Sequence, residues 1–301
     1  GMQNIVLSVI TEPPYVDGLY DVYLLENSST ALGFTVNNLD DGIVYLSLNE
    51  DAPDYVTLNY NSGDSQGTID IEPGFGAESA SITVTATNSE PIPESTSSTF
   101  DVFINHYPVF NHTETIYLLE GSNTSLEVSI SDQDQNESFL SLAAAPDYVS
   151  YTPYDDSSGL IEIDSYTGAV SGEVVFDISD NGTPEAVTQS GFTILINKAP
   201  EFIGLGDFHI PENDVLDTLI SFYDPNDDNL QLEVLSLPDY VTYQILGDSL
   251  NHESIWLSIM PTSNSGNGLI ELQLTDPGDL VTVGPAQRLV YQTYLSGDVR
   301  P

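Results

Sequence analysis

Cysteine is absent, so neither disulfides nor cysteine-ligated metals hold this 301-residue chain together. Bases are scarce: Lys198, Arg288 and Arg300 stand against 47 Asp and Glu, a formal net charge of −44. A surface of that sign repels nucleic acid and anionic lipid, which excludes both as partners. It also repels itself, so salt or divalent cations should favour the folded state. No apolar run approaches the roughly 18 residues of a membrane-spanning helix, so direct membrane insertion is not expected. The opening GMQNIVLSVIT lacks the basic flank and small-residue cleavage site of a signal peptide. No segment keeps a 3.6-residue apolar period over three turns, which removes helices from the expected core.

What is present is a repeat. APDYV at 52–56 returns as APDYV at 145–149 and as LPDYV at 237–241. Around each copy the same alternating segments recur. Leu32, Phe34, Val36 and Asn38 match Leu126, Val128, Ile130 and Asp132, then Thr218, Ile220, Phe222 and Asp224. Ile69 and Ile71 match Ile161 and Ile163, then Ile255 and Leu257. Ile82, Val84, Ala86 and Asn88 match Val174, Phe176, Ile178 and Asp180, then Ile270, Leu272, Leu274 and Asp276. A period of two with one apolar face specifies half-buried strands, and Gly, Asn, Asp and Pro turns separate them. The expected fold is all-β: three β-sandwich domains in tandem.

Each Pro-Asp-Tyr-Val should sit where the chain leaves one sheet for the other, since proline has no amide proton for a ladder. Tyr55, Tyr148 and Tyr240 would turn their rings inward and reach a polar partner with their hydroxyls. INHYPVF (104–110) and INKAPEF (196–202) mark the boundaries, giving domains 1–106, 107–199 and 200–301. Residues 4–12 are either the first strand of the first domain or the last strand of a preceding one.

The order of these residues resembles a known group. A Glu follows an early strand, then Asp-x-Asp, a Pro-aromatic turn, and Ile-Asn-x-x-Pro-x-Phe. This is similar to the cadherin-like and dystroglycan-type immunoglobulin-like repeats of large bacterial surface proteins, with DNGTPEAVTQSGFTILINKAPEF (180–202) the closest stretch. The resemblance covers the chain three times and implies the finer fold class: three tandem immunoglobulin-like (cadherin-like) β-sandwich domains in an elongated rod. It implies an extracellular or cell-surface location and the possibility of calcium between repeats, an ion that takes six to eight oxygen ligands. The positions that carry it are Glu26, Glu120 and Glu212, then Asp132 and Asp134, then Asp224 and Asn226 with Asp227 and Asp228 beside them. Asp40 and Asp41 stand there in the first copy without the spacing. The acidic linker of cadherins is replaced by Asn105-His106-Tyr107 and Asn197-Lys198-Ala199, and Lys198 would place a cation where calcium belongs. A single ion joining Glu26 to Asp132 and Asp134 is the form calcium binding would take. The alternative is that these turns bond their own backbone.

Trp256 is the one tryptophan, and it falls between Ile255 and Leu257, so alternation turns it outward. Asp70 and Glu162 hold the same place in the other copies. An exposed ring there suits stacking on a sugar or an interface; packing under the 261–268 loop is the competing expectation. His106, His112, His209 and His252 are scattered without metal-ligand spacing or a nucleophile motif, so no catalytic residue is expected. The sequence thus reads as a monomeric, non-enzymatic spacer and adhesion module of a larger protein, with a cell-surface protein or polysaccharide as partner. A carbohydrate-binding accessory region of a polysaccharide-degrading or adhesive system is the alternative.

Overall fold

The computed structural model describes residues 12–39, 42–89, 92–203, 206–226, 229–248, 252–276 and 287–296. All regular structure among them is strand, arranged as six four-stranded sheets in three facing pairs. In the first sandwich one sheet runs Tyr15–Asp17, Thr30–Asn37, Gln66–Ile71, Val56–Asn59. The other runs Val22–Leu25, Ser95–Asn105, Ala80–Asn88, Val44–Leu48. The second sandwich repeats that order: Val109–Phe110, Asn123–Ser131, Ser158–Asp164, Val149–Pro153, facing Ile116–Leu119, Val187–Asn197, Gly172–Asp180, Ser138–Ala144. So does the third: Glu201–Ile203, Leu216–Tyr223, His252–Ile259, Val241–Gly247, facing Phe208–Pro211, Gln287–Ser296, Gly268–Thr275, Gln231–Ser236. One pairing in each sandwich is parallel, joining the second strand to the last. The rest are antiparallel.

The alternation read from sequence is what fills the cores. Along Ala80–Asn88 burial alternates residue by residue, and Ile82, Val84 and Ala86 are fully enclosed. Ile69 and Ile71 are matched by Ile161 and Ile163 and by Ile255 and Leu257, all shut away from water. Each such side chain contributes about 1.5–3 kcal/mol through burial. The three apolar clusters are separate, built from Val16 to Ile104, Phe110 to Ile196 and Phe208 to Leu274.

The repeated pentapeptide is a turn. The N–H groups of Val56, Val149 and Val241 each donate to the carbonyl of the proline three residues before, at 3.0 Å. The chain there passes from one sheet to the other, and the tyrosine carbonyl accepts from Glu72, Asp164 or Met260 at 2.9 Å. Tyr55, Tyr148 and Tyr240 pack on their three cores, and their hydroxyls donate to the carbonyls of Glu78, Val170 and Gly266.

Candidate functional site

The polar residues that recur outside the cores gather where one sandwich meets the next. The last strand of the first sandwich ends at Asn105, and that of the second at Asn197; both side chains are buried. The backbone of the early glutamate pins each strand end: Glu26 N donates to Asn105 O, and Glu120 N to Asn197 O. The amide of Asn105 then crosses the boundary. Its Nδ2 donates to Asp180 Oδ2 at 2.8 Å and to the Pro184 carbonyl at 2.9 Å, while its Oδ1 accepts from Asn136 Nδ2 at 2.6 Å. Asn197 Nδ2 makes the matching bond to Asp276 Oδ2, also at 2.8 Å. Asp180 and Asp276 are 1% and 0% exposed, so each bond is a charge-assisted bolt between domains. Asp180 Oδ1 is held in turn by the N–H groups of Gly182 and Ala186. Glycine is required at 182 by contact: a Cβ there would lie 2.3 Å from Asn105 Nδ2.

The first junction adds a clasp around His106, which is 3% exposed. Its backbone N–H donates to Asp134 Oδ2 at 2.7 Å, its Nδ1 lies 2.9 Å from Asp134 Oδ1, and its Nε2 lies 3.0 Å from the Ala77 carbonyl. A carboxylate and a carbonyl can only accept, so both ring nitrogens carry protons and the ring is an imidazolium. Burial alone would lower the His106 pKa; the Asp134 hydrogen bond and charge, with the Glu26 charge, outweigh it and the net direction is up. Glu26 is buried, and both its oxygens are satisfied: Oε1 accepts from Tyr107 N at 3.0 Å and Oε2 from Gly76 N at 2.9 Å. Asn27, the next residue, takes φ 55° and Gly121 after Glu120 takes φ 73°, the left-handed turn that aims each glutamate at its loop. Glu120 Oε1 duly accepts from Gly168 N at 2.7 Å.

Asp132 and Asp134 share one turn. Asp132 Oδ1 accepts from Asp134 N and Asn136 N, while its Oδ2 is buried without a hydrogen bond. That burial pushes the Asp132 pKa up; the two N–H bonds pull it down, and the charges of Asp180 and Asp134 push it up again, for a net rise. At the second junction the turn is neutral on one side. Asn226 Oδ1 accepts from Lys198 N at 2.7 Å, Asn226 Nδ2 donates to the Ile196 carbonyl, and Asn226 N donates to Asp224 Oδ1. Glu212 precedes Asn213, which has φ 63°. Asp40, Asp41, Asp227 and Asp228 lie outside the described residues, as do residues 4–11.

This donor set does not match a calcium site. Both oxygens of Glu26 and both of Asp134 already receive hydrogen bonds from nitrogen, and an imidazolium stands among them. Among the described residues no group of three or more His, Cys, Asp or Glu is placed to hold a metal ion. Glu26, Asp132 and Asp134 meet at the first junction, and His106 joins them there; its place in the linker 105–107 was the one signal of it in the sequence.

Trp256 lies on the outward face of its sheet, 37% exposed, between Leu219 and Gln244 on the neighbouring strands. The matching rows are Ala31–Asp70–Thr57 and Ser125–Glu162–Ser150. Leu219 is 50% exposed, so the third sandwich carries an apolar spot where its siblings carry an acid. Two of the other histidines have local roles: His112 packs edge-on to Phe192, and His252 Nδ1 accepts from Leu232 N.

Strand order, register and the threefold repeat define the class: tandem immunoglobulin-like, cadherin-like β-sandwiches. No protein-family model matches the chain, and no curated protein matches it. Among solved structures it is similar to a three-immunoglobulin-domain fragment of titin, at 12% identity over 97% of this chain and 100% of that one, with a TM-score of 0.45. The extracellular domain of protocadherin GammaB4 is 18% identical over 96% of this chain and 52% of that one, with a TM-score of 0.40. An endo-fucoidan hydrolase of glycoside hydrolase family 107 is 14% identical over 96% of this chain and 45% of that one, with a TM-score of 0.27. These likenesses are of architecture alone. No helix among the described residues is long and apolar enough to cross a membrane.

Proposed function

We propose that the chain is a non-enzymatic extracellular or cell-surface repeat module, the spacer and adhesion segment of a larger protein, working as a monomer against a cell-surface protein or polysaccharide. One observation carries the reading: the buried Asn–Asp bolt that couples the first sandwich to the second recurs between the second and the third. A spacer must transmit position from one end to the other, and bolted neighbours do so where a flexible linker would not. Distance distributions between spin labels on the first and third sandwiches test it. The spacer reading calls for one narrow peak that broadens in Asn105→Ala; a distribution as broad as a flexible linker's in the wild type would end it. Beads coated with the chain and challenged with cells or polysaccharide test the adhesive half.

A carbohydrate-binding accessory role is the second reading, favoured by the Trp256–Leu219 spot on an otherwise acidic surface. Aromatic rings exposed on a sheet stack on the apolar faces of sugars. A glycan array probed with the wild type and Trp256→Ala decides it: binding that survives the substitution unchanged removes Trp256 from the contact.

A further inference from the structure

The first junction holds a cleft of about 520 Å³, within the range of about 300–1,000 Å³ that small ligands occupy. Its wall is shared between the two sandwiches. Phe75 comes from the first, Tyr107 and Val109 from the crossing segment, and Thr113, Thr188 and Ser190 from the second. Glu26 sets the place of the two aromatic residues. Its Oε1 takes the N–H of Tyr107, and its Oε2 takes the N–H of Gly76, the residue after Phe75. The carbonyl of Ala77, one residue further along that loop, is held by His106 Nε2. Phe75 is thus 75% exposed on a loop fastened at two points, and it belongs to none of the three cores. A ring held out on a fixed loop loses little conformational entropy when a ligand arrives.

The second junction has no counterpart. Gly168 meets Glu120 there as Gly76 meets Glu26, yet the residue before it is Thr167. Two and four places beyond Asn197 stand Ala199 and Glu201, where Tyr107 and Val109 stand beyond Asn105. Both junctions keep the bolt and the glutamate tie, so joining the sandwiches does not call for the aromatic residues. The chemistry of the wall says what does. The hydroxyls of Thr113, Thr188 and Ser190 are taken by no hydrogen bond among the described residues. Glu26 is the one ionised group on the wall, and it already holds two backbone N–H groups. An anionic ligand would be repelled by a chain of charge −44. An uncharged sugar suits every feature: its C–H faces stack on aromatic rings, and its hydroxyls both donate to and accept from those of Thr113, Thr188 and Ser190.

We propose that the cleft at the first junction binds a neutral saccharide against Phe75 and Tyr107, and that the site is complete only while the two sandwiches are bolted together. The inference rests on the adhesive reading and gives its polysaccharide partner a point of contact. The test titrates the full chain with neutral gluco-, manno- and galacto-oligosaccharides and with a lysine-rich peptide, followed by saturation-transfer NMR. At least one neutral oligosaccharide must bind saturably. Phe75→Ala and Tyr107→Ala should each weaken that binding about tenfold. Asn105→Ala should weaken it too, by opening the junction, whereas Tyr154→Ala removes an exposed ring outside the cleft and should change nothing. No binding of any neutral probe, binding by the peptide alone, or sugar binding that Phe75→Ala leaves untouched would overturn the proposal. Phe75 lies outside the cores, so this variant keeps its fold and decides the matter even should Tyr107→Ala unfold. Undiminished attachment of Phe75→Ala to cells, with no sugar bound, would leave the adhesive reading standing and remove this site alone.

Discussion

The two internal junctions share one bolt and differ in what surrounds it. Between the first and second sandwiches, His106 stands charged between Asp134 and the Ala77 carbonyl, and Glu26 collects two backbone N–H groups. Between the second and third, Asn226 replaces Asp134, and the residue in the place of His106 is Lys198, engaged by Asn226 through its backbone N–H. The same backbone geometry is thus finished once with an ionic clasp and once with a neutral amide. The Asn–Asp bond is what both keep, so it carries the coupling, and the ionic clasp tunes it.

Asp180→Ala breaks the shared part and has the largest expected effect. It strands the donors on Asn105, Gly182 and Ala186 in a buried site, a loss of at least about 3 kcal/mol. For a domain of this size that lowers the melting temperature by more than about 10 °C, readable by calorimetry. Gly182→Ala should act in the same direction by pushing Asn105 out of place.

A paired substitution sharpens the contrast between junctions. His106→Ala removes a buried charged hydrogen bond and should cost about 1.5–3 kcal/mol. Lys198→Ala leaves its backbone donor to Asn226 intact and should cost less than about 0.5 kcal/mol. Equal losses by chemical denaturation would mean that the two linkers work alike.

The clasp also gives the first junction a pH dependence. The His106 pKa is raised on folding, so its stabilisation is fully present below the unfolded value of about 6.5 and is lost as pH climbs through the folded value. Asp132 is raised as well, so its contribution is present below the unfolded value of about 3.9 and is lost as pH climbs through the folded value; it is common to the wild type and to a His106 variant. Between pH 6 and 9 the wild type should therefore lose stability relative to His106→Gln. Parallel melting curves for the two would contradict the ionic clasp.

How much of this was legible in the residues follows from physical range. Ile82, Val84 and Ala86 announced a strand with one buried face because the period-two pattern is local, and the threefold repeat placed Tyr55, Tyr148 and Tyr240 in matching turns. The edge strands Val109–Phe110 and Glu201–Ile203 were not legible, since two or three residues cannot show alternation. At the junctions the sequence put Glu26, Asp132 and Asp134 at one boundary but could not say what neutralised them. Lys198 was the cation legible in the second linker; at the first junction the structure sets His106 against Asp134. The Asn105–Asp180 bolt went unread although both halves recur as Asn197 and Asp276, because its partners lie far apart in sequence and an Asn that replaces a linker acid reads as a loss rather than as a partner.

The central claim is that the hydrogen bonds made by Asn105, Glu26, His106 and Asp134 close the first junction. The most direct test is the melting temperature of the full chain in calcium, in magnesium and in chelator, at matched ionic strength. The account predicts that calcium and magnesium act alike, both only screening a charge of −44. A rise of several degrees specific to calcium, saturable and abolished by Asp134→Asn, would contradict it.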